Sequence, residues 1–531
     1  MMHASESEMP MSKRPVRLTK IIATLGPASN TPEKITELIL AGVNVFRLNF
    51  SHATTMERLA EIVADIRAAS DALHQQVAIL GDLQGPKFRV GELENHEPVT
   101  LNAHDKVLLS AKKMPGTAQH ITTPNTELVA VLAPGHRLLL DDGNLALDVI
   151  EATGINADDK VLTCQVLRGG LLKEKKGINV PNLSSGIAAL TERDKAYCLF
   201  AMAQNLEYIA LSFVQNADDI KGLKAFMLQN AEPGARLPQI IAKIERPKAI
   251  DAIDEILKET DGLMVARGDL GVELAQERVP MIQKRLIEKA NLAQKPVITA
   301  TQMLESMIHN AVPTRAEVSD VANAVIDGSD AVMLSAESAV GAYPVEAVAT
   351  MARVLTTCEQ ELPDWQGVDE RRLRYTQEGR DAEHQQQDIQ CSFYDTIAQT
   401  AALAAKRTQA TAIVVFSYSG SMARRISKRK PRLPIYAFTT EPGVARLMAL
   451  YGGVVPMVLP PSTHTDAALH HAELALKTQQ QVALGDTVVY CAGKTPFSGM
   501  TNALRLHVFG DTLSHQELET IEQHACPLAY S

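Results

Sequence analysis

The sequence predicts an α/β architecture: a (β/α)8 barrel, interrupted after its third strand by a small inserted β-barrel domain and followed by a separate C-terminal α/β domain. Three observations carry that reading. Eight short, apolar, β-rich runs alternate with amphipathic helical segments between Leu18 and Leu362. One gap between consecutive runs holds about a hundred residues where a single helix would do. The strand-and-helix alternation resumes beyond a polar stretch that starts at Pro363.

The eight runs are Lys20 to Leu25, Val43 to Phe50, Val77 to Leu83, Tyr208 to Phe213, Ile240 to Glu245, Gly262 to Ala266, Pro296 to Ala300 and Ala331 to Ser335. Eight strands, each followed by a helix, are the number that closes such a barrel. The long gap, from Phe88 to about Asn182, carries alternating segments such as Val99 to Leu109 and Arg137 to Leu140, with turn signals at Asp142-Gly143 and Gly169-Gly170. Beyond Ser392 a helical segment, Thr396 to Ala405, precedes runs at Ala412 to Phe416, Ile435 to Phe438, Val454 to Leu459 and Thr487 to Tyr490. The expected division is a disordered tail over 1–16, barrel over 17–86 and 186–362, insert over 87–185, linker over 363–390 and C-terminal domain over 391–531. A chain of 531 residues is in any case too long for one core.

Bulk properties exclude several function classes. A net charge of -10 argues against a sequence-independent nucleic-acid binder, which needs a basic surface to release counterions. No uninterrupted apolar stretch approaches the ~20 residues that cross a bilayer, so a membrane role is not expected. The six cysteines form no C-x-x-C pair, and the segment Met1 to Arg14 lacks an apolar signal-peptide core. A cytoplasmic protein with reduced thiols is expected. Gly493-Lys494-Thr495 is no P-loop, because Val488 stands where the pattern needs glycine.

In a (β/α)8 barrel the active site lies at the C-terminal ends of the strands, and here those ends are polar. Arg47, Asn49 and Ser51 are spaced by two, as are Lys243 with Glu245, Arg267 with Asp269 and Thr299 with Thr301; in extended chain each set faces one side. Any one pair reads as a solvated ion pair. Several together on one rim do not, since buried charge needs partners. Glu245 and Asp269 on neighbouring strands suit Mg²⁺, which takes few protein oxygens. Arg47, Arg89, Lys243 and Arg267 suit a phosphate or carboxylate ligand. With no nucleophilic triad or redox motif, metal-assisted transfer and enolate chemistry remain the leading classes.

The segments Thr19 to Ser29, Phe46 to His52, Lys243-Ile244-Glu245, Met264 to Gly271, Ala300 to Met307 and Pro313 to Asp320 resemble the signature strands of the pyruvate kinase family, in that family's order. The resemblance implies transfer of the phosphoryl group of phosphoenolpyruvate to ADP, with Mg²⁺ or Mn²⁺ held by Glu245 and Asp269. It implies that Lys243 contacts the moving phosphoryl group, and that Gly268, Asp269 and Thr301 bind the substrate carboxylate. Arg47, Arg89, Asn49, His52 and, from the insert, Lys176 are implied for the nucleotide phosphates, and Ser335 with Glu337 for protonating the enolate. The family's Gly-Glu-Thr appears as Ala336-Glu337-Ser338. Ser417, Ser419, Gly420 and Ser421, ahead of Arg424, Arg425, Lys428 and Arg429, are similar to the family's loop for a phosphorylated allosteric effector, and a homotetramer is implied. Two rival readings stay open at this stage: a pyruvate-enolate lyase on the same barrel, and a non-catalytic regulatory relative.

A departure on the third strand bears on a monovalent cation. Many family members read Asp-Thr-Lys-Gly-Pro-Glu and hold K⁺ among an Asn, a Ser, the Asp and the Thr carbonyl. This chain reads Asp82-Leu83-Gln84-Gly85-Pro86-Lys87 and keeps Asn49 and Ser51. The strand resembles the potassium-independent branch, and the expectation is that the Lys87 ammonium replaces K⁺, since two cations there would repel.

Overall fold

The structure, a computed structural model, describes residues 16–51, 55–154, 159–181, 189–362, 385–462, 464–479, 481–493 and 501–514, with the side chains of the long helix from 393 onward. The predicted N-terminal tail, apart from Val16, and most of the predicted linker lie outside these residues. The part of that linker that is described, 385–390, belongs to the helix Gln385–Arg407, which starts eleven residues before the expected Thr396.

Eight parallel strands close a barrel: β1 (Lys20–Leu25), β2 (Val45–Asn49), β3 (Ala78–Asp82), β4 (Tyr208–Leu211), β5 (Gln239–Ile244), β6 (Gly262–Ala266), β7 (Val297–Ala300) and β8 (Ala331–Leu334). Each lies within or against a predicted run. The side-chain period of two splits every strand between two environments. Ile21, Ala23 and Leu25 pack outward on the surrounding helices. Ile22 joins Val45, Leu80, Ile241, Met264 and Met333 in an apolar cluster that continues into the C-terminal domain through Ile413, Val415 and Met448.

Local chemistry explains where the helices start. Thr31 caps Pro32–Ala41, with proline in the first turn where its missing N–H costs nothing. Thr314 with Glu317, and Thr191 with Asp194, form reciprocal capping boxes. Asp194 does more than cap. Its buried carboxylate also accepts the backbone N–H groups of Gln84 at 2.9 Å and Gly85 at 3.2 Å, pinning the turn that leaves β3 for the insert. Gly85 has φ +65°, and a Cβ there would stand 2.7 Å from the Phe213 ring, so glycine is required.

The insert is a curled seven-stranded sheet with a two-stranded companion, Val99–Leu101 against Gly170–Leu172. The expected segment Val99 to Leu109 is split by a turn into 99–101 and 106–110, and a short helix, Thr126–Val131, had no periodic signal. At the base of the sheet Phe88–Arg89 pairs with Gly177–Asn179. The C-terminal domain has β9 (Ala412–Phe416), β10 (Ile435–Thr439), β11 (Val454–Val458), β12 (Thr487–Ala492) and β13 (Ala503–Val508), in the order β11-β10-β9-β12-β13. Only β13 runs antiparallel; it is a largely exposed edge strand that the pattern reading missed.

This domain docks on the N-terminal end of the barrel through buried polar contacts. Asp330, just before β8, pairs with Lys428 and, at 2.8 Å, with Lys430. Glu207, just before β4, is held by Arg67 at 2.9 Å and Arg446 at 2.7 Å. Lys20 donates to the Val454 carbonyl at 2.7 Å and the Tyr208 hydroxyl to the Leu447 carbonyl at 2.6 Å.

Candidate active site

Lys243, near the end of β5, is the centre of the C-terminal rim. Its ammonium stands 2.8 Å from Glu245 Oε1, 3.3 Å from Asp82 Oδ1 and 2.7 Å from Ser212 Oγ. Burial opposes its charge, but Asp82 and Glu245 outweigh burial and hold the ammonium above its usual pKa. Burial likewise opposes ionisation of Asp82, and Lys243 with Arg47 overcomes it. Arg47 Nε donates to Asp82 Oδ2 at 2.6 Å while its NH1 donates to Thr24 at 3.0 Å. Three strands thus share one ion-pair chain, Arg47–Asp82–Lys243–Glu245, with both its cations fixed. Asn49 Oδ1 accepts from Ser51 N–H at 3.2 Å beside it. Neither Ser212 nor Thr24 was singled out from sequence; each is a lone hydroxyl at a strand end, with no spacing to mark it.

Glu245 is buried, and burial with the nearby Asp269 charge raises its pKa against Lys243 and the Phe213 N–H, which donates at 2.6 Å. A buried carboxylate that feels a second, partly buried one is the charge arrangement that a small divalent cation relieves. Among the described residues no group of three or more His, Cys, Asp and Glu could hold a metal ion. Glu245 and Asp269 would supply few protein oxygens, a donor set that suits Mg²⁺ with the rest from water or substrate.

The remaining groups come from turns. Contrary to the extended spacing expected, Arg267 and Asp269 open a helix, Arg267–Glu273, and only Thr299 of the pair Thr299 and Thr301 lies on β7. Thr299 is fully buried and bonds Ser329 at 2.7 Å, away from the rim. Thr301 and Gln302 both take the left-handed region, φ +69° and +53°, which is strained for a β-branched residue. Arg267 holds that turn: its guanidinium donates to the carbonyls of Thr301 at 2.5 Å and Gln302 at 3.3 Å and pairs with Asp320 at 2.6 Å. It is a structural clamp and no ligand cation, which corrects the sequence reading. The clamp brings the Thr301 hydroxyl to the Gly268 N–H at 2.9 Å.

At the end of β8 the Ser335 Oγ is buried without a hydrogen-bond partner among the described residues. Its N–H donates to Glu337 Oε2 at 2.8 Å, and Glu337 Oε1 accepts from Leu304 N–H at 3.1 Å, so this fully buried carboxylate braces two backbones. Ser338, where the family has threonine, still uses its hydroxyl: it bonds the backbone N–H and carbonyl of Thr24 at 3.0 and 2.9 Å. The Leu83 carbonyl accepts from Ser212 at 2.8 Å. Lys87 is exposed, yet desolvation and then Arg89 lower its pKa while Asp269 and Glu245 oppose. In the insert, Arg89 donates to the Lys175 carbonyl at 2.8 Å and Lys176 pairs with Asp141 at 2.6 Å. His52 lies outside the described residues.

In the C-terminal domain Ser417 is buried, Gly420 has φ +78°, and the Ser419 and Ser421 hydroxyls are 3.1 Å apart. The helix that follows, Ser421–Ser427, is not an exposed basic face. Arg424 donates to the Gln294 carbonyl at 2.9 Å and Lys428 is buried on Asp330, both across the docking interface, while Arg425 pairs with Asp395 at 2.7 Å within the domain.

A closed parallel barrel that gathers lysine, arginine and crowded carboxylates on its C-terminal rim, beneath an inserted β domain, defines an enzyme acting on an anionic substrate. Comparison with known proteins narrows that class. Residues 16–348 match the family model described as pyruvate kinase, barrel domain, and 395–507 match pyruvate kinase, alpha/beta domain. A pyruvate kinase of Geobacillus stearothermophilus is 42% identical over 94% of this chain and 81% of its own length, and one of Agrobacterium vitis is 40% identical over 92% and 96%. The crystal structure of a pyruvate kinase from Cryptosporidium parvum covers 93% of this chain and 96% of its own, with 34% identity and a TM-score of 0.84. The chain belongs to the pyruvate kinase family, phosphotransferases that convert phosphoenolpyruvate and ADP to pyruvate and ATP. The lyase and non-catalytic readings are set aside.

Proposed function

We propose that the reaction is carried by the rim around Lys243, and the observation that supports this most directly is the ammonium fixed between Asp82 and Glu245. Held charged and dry, it contacts the transferring phosphoryl group and stabilises the enolate that departs; fixed charge of this kind costs no reorganisation at the transition state. Arg47 acts on the same phosphates. Gly268, Asp269 and Thr301 hold the substrate carboxylate, positioned by the Arg267 clamp. Glu245 and Asp269 hold Mg²⁺ or Mn²⁺, which supplies Lewis-acid polarisation of substrate oxygens. Asn49, His52, Arg89 and Lys176 serve the nucleotide as the insert closes and excludes water. The unpartnered Ser335 hydroxyl lies on the proton path to the enolate.

K⁺ is not required. Two observations favour this: the Lys87 ammonium feels the charges of Asp269, Lys243 and Glu245, and the Leu83 carbonyl, which matches a cage oxygen, already accepts a hydrogen bond from Ser212. The loop Ser417 to Ser421 binds a phosphorylated effector through hydroxyl and backbone groups, without the arginines of the following helix. A homotetramer in the cytoplasm completes the reading; no helix among the described residues is long and apolar enough to cross a membrane.

The test pairs Mn²⁺ titration with turnover. Glu245→Gln is expected to weaken Mn²⁺ binding to the substrate-free protein and to abolish Mg²⁺-dependent pyruvate formation; parent-like Mn²⁺ binding in that variant sinks the metal assignment. Ser419→Glu is expected to abolish activation by sugar phosphates and leave the maximal rate unchanged, and retained activation removes the loop assignment.

A further inference from the structure

Strand β4 ends at Leu211, and the two residues after it reach the central pair of the rim. Ser212 accepts from the Lys243 ammonium at 2.7 Å and donates to the Leu83 carbonyl at 2.8 Å. Phe213 donates its backbone N–H to Glu245 Oε2 at 2.6 Å, while Glu245 Oε1 faces Lys243 at 2.8 Å. Each oxygen of the Glu245 carboxylate is therefore held by a different donor, one a side chain and the other a backbone group.

Phe213 makes that bond from a conformation that a phenylalanine avoids. Its φ is +57°, in the left-handed region, where the Cβ of a bulky residue crowds the following carbonyl oxygen. The core does not account for it. Leu211 and Val214 on either side are fully buried, whereas Phe213 is half-buried and lies outside the core cluster that they join. The ring is gripped at the rim instead. A Cβ on Gly85 would stand 2.7 Å from Phe213 Cδ2, so the ring packs closely on backbone that has no side chain to repel it, and the Arg246 guanidinium lies over its face, 5.0 Å from the centroid. The backbone under the ring is fixed in turn, because the buried Asp194 carboxylate takes the N–H groups of Gln84 and Gly85. A strained residue persists only where its surroundings over-determine it, and such residues gather at functional sites.

We propose that Phe213 is a positioning residue for Glu245: its ring, wedged against Gly85 and under Arg246, keeps the backbone left-handed, and the N–H held this way fixes the orientation of the carboxylate. This rests on the reading of Glu245 as a ligand of the divalent metal. Groups that orient a metal ligand from outside account for about 10–100-fold in metal affinity. Without the ring, a residue that disfavours the left-handed region relaxes out of it, the N–H turns away, and Glu245 is left to swing about its remaining donor, Lys243.

The test titrates Mn²⁺ into the full-length, substrate-free protein, followed by electron paramagnetic resonance, and separately measures turnover against Mg²⁺ concentration. Phe213→Ala is expected to weaken Mn²⁺ binding about 10-fold or more. The Mg²⁺ needed for half-maximal turnover should rise in proportion, with turnover recovering at saturating metal, because the lost interaction is one of binding. Phe213→Asn also lacks the ring but suits the left-handed region, and is expected to bind Mn²⁺ more tightly than Phe213→Ala. A ring that merely filled space would leave both variants equally weak, so equal weakness overturns the proposal. Parent-like Mn²⁺ binding in Phe213→Ala, alongside its loss in Glu245→Gln, overturns it as well. Should Phe213→Ala fail to fold, Phe213→Leu, which fills the space without the flat ring, takes its place. If Glu245→Gln also binds Mn²⁺ like the parent, the metal assignment itself has failed and the proposal falls with it.

Discussion

The two ends of the barrel use buried charge in opposite ways. At the N-terminal end every named carboxylate is saturated. Asp330 takes Lys428, Lys430 and the Val297 N–H at 2.8 Å, and Glu207 takes Arg67, Arg446 and the Ile79 N–H at 2.8 Å. Lys428 and Lys430 outweigh burial and hold Asp330 below the usual carboxylate range. At the C-terminal end Gln84 Oε1, Arg246 Nε, Glu273 Oε2 and Ser335 Oγ are buried with no hydrogen-bond partner among the described residues, and Thr301 and Gln302 are strained. Native interiors rarely tolerate such atoms, and where they do a ligand or a movement completes them. One end fastens two domains; the other gathers the unpaired polar groups at the strand ends.

The contrast can be broken from either side. The largest expected effect is at the saturated end: Asp330→Asn strands Lys428 in the interface and should cost about 3–5 kcal/mol of stability, as when one partner of a buried pair is removed. Denaturant unfolding checks it, and a loss within the range of surface substitutions would show that the docking contacts are ornamental. Next, Lys243→Met should leave the melting temperature near the parent's while the chemical step slows by about 10²-fold or more, the scale of one transition-state stabiliser. Near-parental single-turnover rates would take Lys243 out of the mechanism.

A smaller effect tests the incomplete end through pH. Glu273 has a folded pKa near 7, above the ordinary 4.5, so the folded protein holds a proton that the unfolded chain has released. Its contribution to stability is full below about pH 4.5 and is lost as pH rises through 7. Metal-free Glu273→Gln should therefore gain on the parent between pH 5 and pH 8 by roughly 1–3 kcal/mol. A constant difference across that window would mean that the carboxylate is not strained. The smallest effect concerns K⁺. In buffer with a bulky organic cation, added K⁺ should change the parent's turnover by less than ~10-fold, about 1.4 kcal/mol of barrier, whereas Lys87→Glu should gain a potassium requirement. A potassium requirement in the parent refutes the replacement.

Much of the fold was legible because it depends on local periodicity. The eight barrel runs and four of the five C-terminal strands follow from apolar runs bounded by turn signals. The edge strand Ala503–Val508, mostly exposed, has no buried face to write a pattern. Lys243, Glu245, Asp269, Thr301 and Arg47 were legible as polar residues at strand ends, where an apolar core cannot explain them. Arg267 was misread for an instructive reason: a spacing of two means one face only in extended chain, and the chain turns into a helix at Ala266.

What the sequence determined by itself was the order of elements and the polar residues proposed for the rim, since both rest on side-chain type and short spacings. Which charges pair was decided by the tertiary structure alone. Arg267 with Asp320, Lys428 with Asp330 and Arg446 with Glu207 join residues dozens to hundreds of positions apart. Whether a buried charge fastens, clamps or waits for a ligand depends on the partner that closure of the barrel and docking of the domains bring within reach, and desolvation at that place sets how strongly it needs one.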